Sequence, residues 1–112
     1  MFRLDPNPTF TAPVLLTRPG DEPPVKVSFT FKHKTWRELN AWLARWADYP
    51  SDVEFVGEVI EAWGPEFVEG PDDTPVPYSR EALAKLLDCY PRAGMDIVRA
   101  YRKGLGDARA GN

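Results

Sequence analysis

The chain has 112 residues, enough for one domain with its own core and too few for two comfortable ones. An apolar fraction of 43% with 28% charged residues excludes wholesale disorder, and no run approaches the roughly 18 apolar residues of a membrane-spanning helix. The net charge of −3 is unevenly spread: residues 1–45 hold seven Lys/Arg and four Asp/Glu, residues 46–79 nine Asp/Glu and no base, and residues 91–112 five Lys/Arg and two Asp/Glu. This basic, acidic, basic order argues against nucleic acid as the default partner and suits self-association through complementary patches.

In chain order, Thr9–Thr17 (TFTAPVLLT) reads as a first strand, with Phe10, Ala12, Val14 and Leu16 on one face. Pro13 has no N–H to give a ladder, so this strand belongs at an edge or is irregular. The turn-rich RPGDEPP follows. The next stretch, VKVSFTFKHK, alternates without a break: Val25, Val27, Phe29, Phe31 and His33 on a dry face, and Lys26, Ser28, Thr30, Lys32 and Lys34 on a wet one. The two strands predict an antiparallel hairpin over residues 9–33. A lone hairpin is marginal in water, so helices must cover it.

The predicted helical part spans residues 35–105. Thr35 and Glu38 have the spacing of a capping box, and Trp36, Leu39, Leu43 and Trp46 follow at helical intervals with Trp42 flanking them. Pro50 stops that helix. Ser51 and Glu54 predict a second cap, and Val53, Val56, Ile60 and Trp63, widened by Phe55 and Val59, predict a helix that runs to Gly64-Pro65. Residues 64–78, with four prolines and two glycines, predict a loop. Ser79 caps a third helix with the stripe Leu83, Leu86, Leu87 and Tyr90, and Pro91 opens a fourth, lined by Ile97, Val98, Tyr101 and Leu105. Residues 106–112 predict a frayed tail. The fold class is therefore α+β: an N-terminal antiparallel β-hairpin packed on three to four short α-helices, in a single domain.

Chemistry-bearing constellations are sparse. His33 and Cys89 are the lone members of their types; without an orienting group they make a weak nucleophilic pair, and Cys89 late on an amphipathic helix reads as a half-buried structural residue. Glu54, Glu58 and Glu61 at helical spacing read as a solvated face, and Asp72-Asp73 as turn chemistry. There is no phosphate-binding loop, so no cofactor and no metal are expected. Lys32, Lys34, Arg37 and Arg45, interleaved with Trp36 and Trp42, form the one stretch that imitates a nucleic-acid surface, and a small nucleic-acid-binding regulator is the alternative function. Of the four tryptophans Trp36, Trp42, Trp46 and Trp63, most read as core filling, but Trp42 widens the stripe beyond what a small two-layer domain must bury, which leaves indole surface for an interface. They are the expected partner-binding residues, with Trp42 truncation expected to weaken binding and leave the fold intact.

FRLDPNPTFTAPV, the strand VKVSFTFKHKT entering a capped helix, and LAKLLDCYPRAGMDIVRAYRKGL together resemble small tail assembly chaperones of long-tailed bacteriophages and prophages, over Phe2 to Ala110. The resemblance implies a non-enzymatic protein of the bacterial host cytoplasm, absent from the mature virion. It would bind the long helical tape measure protein, keep it soluble, and help recruit tail tube protein around it. It further implies a longer, frameshifted form, and Ala110-Gly111-Asn112 are compatible with a slippery codon run.

Overall fold

The computed structural model describes residues 1–107. Strands β1 (Thr9–Leu16) and β2 (Val25–Lys32) pair antiparallel, from Thr9 opposite Lys32 to Leu16 opposite Val25. The alternation works as the sequence predicts. Ala12, Val14, Leu16, Val27, Phe29 and Phe31 are buried, while Thr11, Pro13, Leu15, Lys26 and Lys32 face solvent. Val25, expected on the dry face, is 38% exposed at the turn end. β1 is an edge strand, as Pro13 requires, and Pro13 removes a donor from that edge.

The second edge of β2 is the main departure from expectation. Helix α2 covers only Asp52–Gly57, and the predicted continuation to Trp63 instead forms strand β3 (Ile60–Trp63). The sheet order is β1-β2-β3, with Phe31 opposite Ile60, Phe29 opposite Trp63 and a register shift between Thr30 and Phe31. Lys32 N–H donates to the Val59 carbonyl at 2.8 Å. A helix there would leave the inner edge of β2 without partners, and buried backbone groups must be paired. The β-branched Val59 and Ile60 suit the pleated site and are buried in it.

The helices cover one face of this sheet. α1 (Trp36–Ala44) starts on a complete capping box: Thr35 Oγ1 accepts from Glu38 N–H at 3.2 Å, and Glu38 returns the bond to Thr35 N–H at 2.9 Å. The chain then makes a single 3-10 turn, Trp46–Asp48. Residues 64–78 are not wholly irregular, since β4 (Val68–Glu69) and β5 (Thr74–Pro75) form a small antiparallel hairpin within them. α3 (Arg80–Cys89) starts where Ser79 Oγ accepts from Ala82 N–H at 3.0 Å.

α4 (Ala93–Leu105) is fastened to both ends of the first hairpin. The buried Asp96 carboxylate accepts from Thr17 N–H at 2.8 Å, and Tyr101 Oη donates to the Lys32 carbonyl at 2.8 Å. Burial, followed by the charges of Glu38 and Glu58, pushes the Tyr101 hydroxyl far above its ordinary range. Gly106, at φ 90°, closes the helix in the left-handed conformation, and Asp107 pairs with Arg102 at 2.8 Å. Within the predicted tail, then, Gly106 and Asp107 form an ordered cap. The remainder of that tail, including Ala110-Gly111-Asn112, lies outside the described residues.

Candidate partner-binding surfaces

The four tryptophans do not share one surface. Trp42 is fully buried; its ring stacks on Phe55 at 4.2 Å, meets Tyr101 edge-on at 5.5 Å, and its Nε1–H donates to the Phe55 carbonyl at 3.1 Å. This corrects the surface role expected of it: the stripe of α1 centres on Leu39 and Trp42, not on Trp36 and Trp46. Trp46 stacks on Phe55 at 4.3 Å, donates to Asp52 Oδ1 at 3.1 Å, and is half-buried. Phe55 thus lies against two indoles, which explains why so many rings fit a small core.

Trp36 and Trp63 face two different concavities. Trp36 is 65% exposed and borders a depression of about 440 Å³ lined also by His33, Lys34, Thr35, Leu39, Leu105, Gly106 and Asp107. This depression lies where β2 enters α1 and α4 ends. Trp63 is half-buried in the wall of a larger groove of about 650 Å³, at the turn end of the first hairpin. Its ring stacks on Phe67 at 4.0 Å, and its Nε1–H donates to the Val76 carbonyl at 2.7 Å, which fastens the β4–β5 excursion onto the sheet.

The groove runs between the sheet (Leu16, Val25, Val27), the excursion (Phe67, Val68, Val76) and α3 (Ala82, Leu86, Cys89, Tyr90). Glu66, Glu69 and Glu81 border it, with Arg18 and Lys85. Lys85 pairs with Glu69 at 3.0 Å, and Arg18 with Glu22 at 3.0 Å. Glu66 accepts from Ser28 N–H at 3.3 Å and Ser28 Oγ at 3.1 Å. Burial acts to raise the Glu66 carboxyl, but hydrogen bonds from its own backbone and from Ser28 outweigh it and hold the group below its ordinary value. Sequence reasoning missed this groove. Its one visible signal is Phe67, an isolated aromatic in a proline-rich loop.

Cys89 is exposed at the groove's edge and not half-buried as expected, because it closes α3 on the side away from Leu83. His33 lines the other depression, so the two do not form a pair. Glu54, Glu58 and Glu61 share no helical face, since Glu61 belongs to β3. Among the described residues no cluster of His, Cys, Asp or Glu is suited to hold a metal ion, and no helix is long and apolar enough to cross a membrane. The basic stretch is partly neutralised: Lys34 pairs with Glu58 at 2.8 Å and Lys32 approaches Glu61 at 4.0 Å, while Arg45 keeps its charge and donates to the neutral Tyr49 hydroxyl at 3.2 Å. This weakens the nucleic-acid alternative, which requires free cations facing phosphate.

An α+β protein with two apolar concavities, each bordered by tryptophan, presents surfaces of the kind that bind other polypeptides. The chain belongs to the phage tail assembly chaperone family, whose model matches residues 1–112, its whole length. Comparison with curated proteins and with solved structures gave no match.

Proposed function

We propose that this chaperone acts without catalysis in the host cytoplasm, binding apolar helical stretches of the tape measure protein and holding them for tail tube assembly. Family membership supports the tail-assembly role. The observation that carries the client surface is Trp36: a tryptophan 65% exposed at the first turn of α1, beside a depression floored by Leu39 and Leu105. A long helix outside its tube exposes apolar stripes that aggregate, and an amphipathic helix seats its anchors in such depressions. Many weak copies along one long client add up through avidity. Trp63, the other indole bordering a concavity, belongs to the larger groove and is not assigned to the client.

The test is Trp36→Ala. Interface anchors of this type are worth about 2 kcal/mol or more, so affinity for co-expressed tape measure protein is expected to fall at least about thirtyfold. Thermal stability should hardly change, since the side chain is mostly solvated. Undiminished co-purification with an intact fold removes the assignment.

A further inference from the structure

We propose that the outer face of α4 binds an acidic helical segment of a partner polypeptide. This surface is separate from the Trp36 client surface and does not depend on it. The face is built by spacing. Arg92, Arg99 and Lys103 follow one another at i, i+7 and i+11. At 3.6 residues per turn they fall within about 40° of one line along the helix and span about 16 Å. All three are exposed, and Met95, one turn from both arginines, is 52% exposed. Ala93, Ile97, Val98 and Tyr101 take the buried side of the same helix.

These cations stand without acids. Six other bases, Arg102 of α4 among them, have a carboxylate within 4.0 Å, but among the described residues no carboxylate pairs with Arg92, Arg99 or Lys103. The one acid of α4, Asp96, has the spacing to meet both arginines, four residues after Arg92 and three before Arg99. It is buried instead, and accepts from Thr17 N–H at 2.8 Å. Two local costs are therefore left without an offset. Arg99 and Lys103 form a like-charged i, i+4 pair, which destabilises a helix. Arg92 is the N-terminal cap residue, makes no side-chain capping bond, and puts a cation at the positive end of the helix dipole. Local rules broken along one line of an exposed face, with no compensation among the described residues, mark a site that a partner completes.

Charge and shape define the occupant. A straight row of cations three turns long matches carboxylates set along a neighbouring helix, and complementary potentials fix its register. Met95 gives the contact an adaptable apolar point, which suits a protein partner better than a phosphate backbone. An extended polyanion is repelled by a chain of net charge −3 whose residues 46–79 hold nine Asp/Glu and no base. A short acidic helix covers the stripe alone and avoids that segment.

Fluorescence anisotropy of labelled helical peptides, titrated with the full chain, tests this. Two peptides share a leucine stripe; one carries glutamates along its flank, the other glutamines at the same positions. At about 50 mM salt the glutamate peptide should bind at least about tenfold more tightly, and the difference should shrink as salt rises. The triple variant Arg92→Gln, Arg99→Gln, Lys103→Gln should lose at least about tenfold in affinity for the glutamate peptide. It should melt no lower than the wild type, because it removes a like-charged pair and alters only exposed side chains. Should it melt lower, Arg99→Gln alone replaces it, with a loss of at least about threefold expected. Trp36→Ala should leave this affinity within about twofold, so the α4 face and the client surface stand or fall separately. A glutamate peptide that fails to bind at about 0.5 mM, or binds no better than the glutamine peptide, overturns the proposal. So does a charge-removed variant that binds like the wild type. A loss in Trp36→Ala as large as that in the triple variant assigns the peptide to the Trp36 depression and also overturns it. A single-stranded oligonucleotide that binds as tightly as the glutamate peptide, and weakens in the same variant, makes the stripe a phosphate site instead.

Discussion

Trp42 shows how a single side chain is assigned by a residue distant in sequence. Trp36, Trp42 and Trp46 offer the same apolar payload along one short stretch, and periodicity alone does not choose among them. The choice is made by Phe55 of α2, which stacks on Trp42 and receives its Nε1–H on the backbone carbonyl. Removing the ring therefore empties a core site and strips a buried acceptor of its donor. Large aromatic truncations in cores cost about 3–5 kcal/mol, and a buried group left without its partner adds about 1–3 kcal/mol. Against a total stability of roughly 5–15 kcal/mol, Trp42→Ala should leave the protein largely unfolded or barely folded at 25 °C. Urea denaturation followed by far-ultraviolet circular dichroism checks it, and a midpoint close to wild type contradicts this placement. The same substitution at Trp36 should leave the midpoint nearly unchanged. The contrast between these two positions was not legible in the sequence, because burial there depends on which neighbour arrives across the core.

At the scale of elements, local rules sufficed wherever an element carries its own boundary signals. The hairpin was legible because both strands alternate and Pro13 marks the edge; the starts of α1 and α3 were legible from Thr35 and Ser79, and α4 from its apolar stripe, although Pro91, expected in its first turn, stands before it and Arg92 takes the cap position. β3 was not. Val53 to Trp63 satisfies a helical period, and only Gly57 and the β-branched Val59-Ile60 hint at a change of period. The open inner edge of β2 decides the outcome, and that edge exists only once the hairpin has formed. The contact of α4 with β1 yields a testable consequence. Gly104 stands where a Cβ would come within 2.7 Å of Phe10 Cε2 and 3.4 Å of Ala12 Cβ. Phe10 has little freedom to move aside, since it stacks on Tyr101 at 5.9 Å and meets Phe31 at 5.7 Å. Alanine in place of a helical glycine gains about 1 kcal/mol of propensity. Overpacking a tight site costs about 1–3 kcal/mol. Gly104→Ala should therefore destabilise on balance, contrary to its helix propensity, and Gly104→Val should do so more strongly. A rise in thermal midpoint for Gly104→Ala would show that the sheet and helix can separate at no cost.

For the whole molecule, the acidic middle of the chain sets the response to pH. Glu58 stands at the end of α2, where Lys34 from the β2–α1 connection pairs with it at 2.8 Å and Tyr49 from beyond the 3-10 turn donates its hydroxyl to it. Burial acts to raise the Glu58 carboxyl, but the hydrogen bonds from Lys34 and Tyr49, with the charges of Lys34 and Arg45, outweigh it and hold the group below its ordinary value. Tyr49 moves the other way: burial and the bond to Glu58 raise its hydroxyl, which stays neutral as a donor. A carboxyl whose folded value is depressed contributes stability that is complete above the unfolded value, about pH 4.3 for glutamate, and is lost as pH falls through the folded value. Glu38, held down by hydrogen bonds from the Thr35 backbone and side chain, and Glu66 act in the same direction, although both are solvent-screened. Stability should thus be level near neutrality and decline below about pH 4.3. Protonating 17 Asp/Glu while 14 Lys/Arg remain charged adds general repulsion in the same range, and that contribution must be separated from the local one. Glu58→Gln separates them. It removes the carboxylate at every pH and leaves the global charge change almost intact. Its deficit in urea midpoint relative to wild type should be clear at pH 7 and should shrink at pH values where the wild-type Glu58 is itself protonated. A deficit that stays constant across that range would mean that Glu58 supports the fold through packing and neutral hydrogen bonds, and not through its charge.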